Sequence, residues 1–533
     1  MKRSMLALLL TLTAVGATAA TASSGRGTAS LCVGSEPGCF STIQAAINAA
    51  GDRTTIRIGS GTFAGGIMID RSLQITGAGP NSTTIRGGGP VVTIGTFLAP
   101  TEPTVSISGV TIAGGVTTTS PESNAWVGKD NVIALAGGIS IPPADGYSTG
   151  ATVLVTNSVI RGNRSAPTDT VPFGPPCPDG PCPYASASGG GIDSWGTLTL
   201  VNTTVNGNEA GGAVASDAEG GGILCEFGST LTLKNSAVQD NVARAVEPNG
   251  RYGEGGGIFV RYGVPLTVSN SSVSGNTASL TSSLPSSVEL VANGGGIHAG
   301  DGSAVSIDNT RIDNNTVSVD DPTGEPAGFD AGILVAGSSL ALTGGSVSNN
   351  HVTANAGSTA DVGPSGGALE FDGPATVSNT RITGNTSTVT SEDGVAGAVG
   401  AISAFAQDAP AVISNTLISG NRTSAVSTTG SATVQGGALL NNGRLELRND
   451  QITDNTGTAS GTAGFAEGGG IWNGVLLNPP PVELMLRNTN VTGNTLMASA
   501  GIEIHGGGIF TSFPVTLDTS RIARNVPDQC FGC

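Results

Sequence analysis

Lysine is almost missing from this chain: three residues in 533, Lys2, Lys129 and Lys234. Aromatic residues make up 4%, and there are three histidines. Each shortage excludes something. A net charge of −17 leaves no basic face for a polyanion, which excludes nucleic acid as a partner. So few large side chains imply a narrow core of Val, Ile, Leu and Ala. Beyond the amino terminus no apolar run approaches the ~20 residues that a membrane-spanning helix needs. His298, His351 and His505 stand far apart, without partners at metal-ligand spacing, so no metal site is expected from them.

The first residues read as an export signal. Lys2 and Arg3 precede the apolar stretch Leu6 to Leu12, and Ala17-Thr18-Ala19 or Ala20-Thr21-Ala22 offers a cleavage site. Residues 1–22 are therefore expected to be removed, and the mature protein to be secreted or displayed at the cell surface. Cysteine usage agrees with export. Cys32 with Cys39, Cys177 with Cys182, and Cys530 with Cys533 are expected to form local disulfides, the last closing a very short ring. Cys225 falls two places after Ile223 and is expected to be a buried thiol.

What the chain has in quantity is glycine, 83 residues, and a recurring asparagine. Asn163, Asn208, Asn241, Asn276, Asn315, Asn350, Asn385, Asn421, Asn455, Asn494 and Asn525 follow one another at 31 to 45 residues. Val or Ile stands three places before each, from Ile160 to Ile522. The residue just before is Gly six times, Asn twice, Asp twice and Arg once (Arg524). Gly, Asn and Asp tolerate positive φ, so each unit ends in one kind of tight bend. Upstream lies period-two alternation, as in Leu198-Thr199-Leu200 and Leu231-Thr232-Leu233, which marks a strand with one buried face. Each unit opens on a glycine run such as Gly189-Gly190-Gly191-Ile192 or Gly255-Gly256-Gly257-Ile258. A repeat of this length signals a solenoid.

The pattern predicts an all-β, right-handed parallel β-helix of three short strands per coil over residues 52–526. At an inter-strand spacing of ~4.8 Å, ~13 coils make a rod on the order of 60 Å long. Residues 23–39 form an amino-terminal segment and 527–533 a cysteine-containing tail. Residues 40–51 are expected to be a capping helix, with Ser41 and Gln44 as a capping box and Gly51 as its stop. The segments 164–188, 277–293 and 316–331 are expected to be variable loops.

The glycine-rich and Val/Ile-x-x-Asn units resemble polymorphic outer-membrane protein repeats and, more broadly, bacterial right-handed parallel β-helix repeat proteins. Thr42 to Gly51, followed by Ile56-Arg57-Ile58-Gly59-Ser60-Gly61-Thr62-Phe63, resembles the opening of pectin-lyase-like proteins. The resemblance implies the fold and the handedness. For activity it implies little, because that superfamily includes lyases, hydrolases, esterases and proteins without catalysis. The aspartate motifs of pectate lyases and polygalacturonases are not found.

Candidate chemistry lies on the outward face of the glycine strands. If Ile192 and its equivalents point inward, Asp193, Trp195, Leu224, Glu226, Phe259, Arg261, His298, Leu334, Glu370, Asp372, Phe405, Trp472 and Phe510 point outward. Aromatics on a flat β surface can stack on sugar rings while carboxylates and Arg bond hydroxyls. Asp193, Trp195, Glu226, Phe259, Arg261, His298, Trp472 and Phe510 are thus candidate polysaccharide-binding residues. Glu226, His298, Glu370 and Asp372 are candidate acid/base residues if there is catalysis. The same aromatics can equally be a second small core under the loops. No cofactor is expected; calcium at Asp320-Asp321 or Glu392-Asp393 is a secondary possibility. The leading expectation is a non-catalytic binder of extracellular polysaccharide or another surface, with a polysaccharide lyase or hydrolase as the alternative.

Overall fold

The computed structural model describes residues 30–97, 102–119, 132–144, 149–168, 185–246, 251–282, 290–321, 326–357, 362–407, 409–476 and 481–533. The chain is a parallel β-helix. A 15-stranded sheet carries the Leu-x-Leu segments, and two 14-stranded sheets carry the Val/Ile triplets and the glycine strands. Register is strict: Leu198 pairs with Leu231 and Leu231 with Leu266, so like residues stack. One core of Ile, Val and Leu runs from Val33 to Ile509 inside these three sheets.

Three strands per coil were expected; the regular coils have five. The extra two lie in the segments read as loops. Thr277–Thr281 and Leu290–Asn293 belong to one coil, Thr316–Asp321 and Pro326–Phe329 to the next. They extend an 11-stranded sheet and, on the return path, sheets of six and five strands. The outgoing and returning strands pack on each other through small residues. Ala243, Ala278, Leu280, Ala292 and Val317 fill one part, and Ala354, Val389, Ala425 and Val434 another. A thin two-layer flange therefore stands off the triangular body. The expected ~13 coils fall between the eleven that carry the bend asparagine and the 14 strands of the two sheets.

The bends behave as their residues require. All eleven residues before the bend asparagines have φ between 54° and 72°, Arg524 included. Each asparagine is buried, and its amide donates to the Oδ1 of the next, from Asn163 to Asn208 at 2.9 Å through to Asn494 to Asn525 at 3.1 Å. The same Oδ1 takes the backbone N–H of the previous asparagine, as at Asn241 and Asn276 (3.1 Å). The amide's second proton goes to a backbone carbonyl; Asn241 uses that of Val205. Each bond contributes only ~1 kcal/mol net, whereas an unpaired buried amide costs more, so substitution is excluded by the cost of leaving partners unmet. The glycine runs serve this ladder. Gly220 is left-handed (φ 61°), and a Cβ on Gly222 would sit 2.9 Å from Asn241 Nδ2.

The capping helix is shorter than expected, Ile43–Ala49, because Thr42 and not Ser41 accepts the N–H of Ala45. Gly51 does not stop it; Ala50 does, in extended conformation. Gln44 is used elsewhere: its side chain bonds both the N–H and the carbonyl of Met68, tying the helix to the first coil. Ile43, Ala46 and Ile47 close that end of the core. Cys32 is bonded to Cys39 and Cys530 to Cys533, and Cys225 is a buried free thiol. Cys177, Cys182 and residues 1–22 lie outside the described residues.

Candidate functional site

Where the flange meets the body there is a re-entrant angle. Its floor is the outer face of the glycine strands and its wall the returning flange strands. Pairing of Leu224 with Phe259, and of Phe259 with His298, sets the floor row. Pairing of Glu219 with Glu254 sets the wall. Alternation turns Ala218 into the flange core and leaves Asp217 and Glu219 facing the angle.

A charged network fills this angle. Arg261 is ion-paired with Glu219 and with Glu226, whose Oε2 lies 2.8 Å from its Nε. Asp217 lies 3.7 Å from Arg251. His298 stacks on Phe259 with centroids 4.6 Å apart, and its Nδ1 lies 3.7 Å from Glu254, too far for a hydrogen bond. Asp193 is buried in the preceding coil. Carboxyls outnumber guanidiniums here, and protons make up the difference. Burial, then the charge of Glu219, raises Glu254 to about 8 and Asp217 to about 7. Burial, then Arg261, lowers His298 to about 3, so its imidazole is neutral. Burial works against the charge of Arg261, but Glu219, Glu226 and Glu254 together hold it protonated.

A second acidic group lies further along. Asp330, fully buried at a left-handed turn (φ 42°), adjoins Glu370. Burial raises Asp330 to about 7; burial and then the charge of Asp330 push Glu370 well above the carboxylate range. Asp372 is solvent-exposed as a residue, yet the coil crowds its carboxyl. That partial burial raises it to about 6, a contact with the backbone of Gly337 opposes the rise, and the charge of Asp301 adds to it. The structure does not bring Glu370 and Asp372 together with Glu226 and His298; the two acid groups belong to different coils. Among the described residues no cluster of His, Cys, Asp and Glu is arranged to hold a metal. Asp320 and Asp321 alternate on one strand, the first exposed and the second buried, and so face opposite ways.

Of the two expectations for the aromatic row, the structure agrees with the covered core. Phe259 (5% exposed), Trp472 (4%) and Phe510 (9%) are buried, as are Leu224 and Leu334. The flange covers them: Trp472 Nε1 donates to Glu467 at 2.9 Å from the returning strand Ala463–Glu467. Trp472 stacks along the axis on Phe510, and Phe510 on Phe531. This is the second small core, made by strands and not by loops.

An accessible aromatic strip exists one corner further on. Trp195, Phe227 and Tyr262 occupy successive coils, with ring centroids 6.4 and 6.1 Å apart. Tyr262 is 56% exposed; Trp195 and Phe227 are half-buried. Only Trp195 was expected in a site. The signal for the other two was present: each aromatic directly precedes a glycine, Gly196, Gly228 and Gly263. Gly228, Gly263 and Gly302 share φ 73°, so these three corners have one shape, whereas Gly196 and Gly373 lie outside the left-handed region and their corners are built differently. In later coils an aspartate precedes the corner glycine, Asp301 before Gly302 and, one register position earlier, Asp372 before Gly373.

These features define the class: the chain is a right-handed parallel β-helix repeat protein. Residues 127–386 match the family described as "Right handed beta helix region". Two solved structures show a similarity over nearly the whole chain. The mannuronan C-5 epimerase AlgE4 A-module of Azotobacter vinelandii is 13% identical, with TM-score 0.29, covering 92% of this chain and 94% of that one. The AlgE6 A-module of the same organism is 12% identical, with TM-score 0.30, covering 91% and 95%. No curated protein sequence matches the chain.

Proposed function

We propose that this is an extracellular β-helix protein that binds polysaccharide and does no chemistry on it. The observation that carries this reading is the strip Trp195–Phe227–Tyr262, three accessible aromatic rings stepped along the solenoid axis at ring spacings of 6.4 and 6.1 Å. A polymer lying parallel to the axis meets one ring per coil, so weak contacts add up. The disulfides Cys32–Cys39 and Cys530–Cys533 suit an oxidising compartment. No helix among the described residues is long and apolar enough to cross a membrane. The test is a glycan array with the purified protein, with and without calcium, with product release followed in the same wells. Binding without turnover, lost in Tyr262→Ala and Trp195→Ala, supports the reading. Binding that survives both substitutions sinks it.

A catalytic reading is favoured by one observation. Neutral His298 beside Glu254, and the pair Asp330–Glu370, are titratable groups displaced from their ordinary values, as acid/base residues often are. Turnover abolished by Glu254→Gln or Glu370→Gln would establish it.

A further inference from the structure

The corner that presents the aromatic strip continues into acid. The residue before the corner glycine is Trp195, Phe227, Tyr262, Asp301, Ala336 and Asp372 in successive coils. The hydrogen bonds set the register: the N–H of Gly263 donates to the carbonyl of Asp301 at 2.8 Å, so Asp301 follows Tyr262 directly, while that of Gly302 goes to the carbonyl of Gly337 at 3.3 Å, so Gly337 and not Ala336 follows Asp301. Asp301 is solvent-exposed; Asp372, two coils on, is exposed as a residue with its carboxyl against the backbone of Gly337, and neither is in an ion pair among the described residues. The cations beside the strip are committed: Arg261 to Glu219 and Glu226, Arg251 to Asp217. The chain as a whole carries −17. A polyuronate laid along this corner would bring carboxylates against Asp301 and Asp372 without a countercharge. A neutral glycan would use the rings and leave the aspartates idle.

We infer that the ligand is a polysaccharide bearing free amines, a de-N-acetylated amino-sugar chain, whose rings stack on Trp195, Phe227 and Tyr262 while its ammonium groups meet Asp301 and Asp372. This rests on the binding reading above and adds the ligand's charge to it. Ammonium-to-carboxylate hydrogen bonds are charge-assisted, and an ammonium over an aromatic face gains a further attraction. Both depend on the amine's charge, and the first weakens in salt.

The experiment is calorimetric binding of four probes: a chitosan oligosaccharide, its fully N-acetylated counterpart, a neutral β-glucan oligosaccharide and oligogalacturonate, the last also with calcium. The expected result is binding of the chitosan oligosaccharide at least tenfold tighter than of the acetylated form, with the preference shrinking in high salt. Asp301→Asn with Asp372→Asn should bring the two forms level, whereas Tyr262→Ala should weaken both. The melting temperature of each variant checks that the fold is intact. Equal binding of the amine and acetyl forms, or preference for oligogalacturonate with or without calcium, overturns this inference and leaves the binding reading standing. Failure of all four to bind, with the fold intact, overturns both.

Discussion

Gln529 takes the place of the next asparagine at the end of the ladder. Its Oε1 accepts the backbone N–H of Asn525 at 3.1 Å and the side-chain amide of Asn525 at 3.2 Å. Asn525 serves Asn494 in the same two ways, at 3.0 and 3.1 Å. Just after Gln529, Cys530–Phe531 pairs with Ile509–Phe510, and Phe531 stacks on Phe510. The tail 527–533 is thus a cap that closes both the asparagine ladder and the aromatic stack.

Gln529→Ala should open that end. It strands two donors of Asn525, a cost of about 1–3 kcal/mol per unmet buried group. In a solenoid the loss stays near the site, since each coil contacts its neighbours only. Hydrogen exchange should therefore quicken at the amides of Asn494 and Asn525 and stay unchanged at Asn276. Uniform protection in the variant would show that the cap is not needed.

A second ladder suggests a stabilising change. Hydroxyls of Ser236, Ser271, Thr416 and Thr489 accept backbone N–H groups from the coil before, but the position after Asn449 is Asp450. Fully buried, it accepts the N–H of Thr416 at 2.7 Å and of Arg448 at 2.8 Å. Burial raises it to about 7 despite these donors. Asp450→Thr restores the hydroxyl. The variant should melt higher than the parent at pH 8.5, and the gain should shrink at pH 5, where Asp450 is already protonated. A lower melting temperature at pH 8.5 would count against this account.

The body of the fold was legible because its signals are residue-specific. Asparagine's short amide puts a donor and an acceptor right at the bend, and Ile, Val and Leu alternate openly on the body strands. The flange was not, because much of its core is built from Ala, Ser and Val: Thr386-Ser387-Thr388-Val389-Thr390-Ser391 alternates in burial but scarcely in hydropathy. With these strands read as loops, cover over Trp472 and Phe510 stays one of two open expectations. The same reading hid Glu219 and Glu254, which complete the network around Glu226, Arg261 and His298. Tyr262 was missed for another reason: outward positions were counted by period two, and the corner ends that period one residue early.

The buried carboxyls also set the pH response of the whole protein. Glu254 (about 8), Asp217, Asp330 and Asp450 (about 7 each) all lie above their unfolded values near 4. Between those limits the folded state holds more protons than the unfolded one, so stability falls as pH rises. Their contribution is complete below about pH 4 and is lost as pH passes through 7 to 8. Melting temperature should decline from pH 5 to pH 8.5, and Glu254→Gln should flatten the decline. A curve that rises across this range would overturn these assignments.

Arg261 tests whether the network is structure or site. Its guanidinium is the one charge paired with both Glu219 and Glu226. Arg261→Met keeps an apolar stem of similar length, loses the guanidinium that lies 5.3 Å from the Phe259 ring centre, and leaves two buried carboxylates facing each other. Removing one partner of a buried ion pair typically costs 3–5 kcal/mol. That cost should appear at pH 8.5 as a large fall in melting temperature and ease at pH 5, where Glu226, raised by burial, can take up a proton. Adding Glu219→Gln and Glu226→Gln should restore most of the loss, because the triple variant buries no net charge. If Arg261 instead served mainly to hold a ligand, Arg261→Met would leave the melting curve near that of the parent and abolish glycan binding. The two outcomes separate on the melting measurement alone, before any ligand is known.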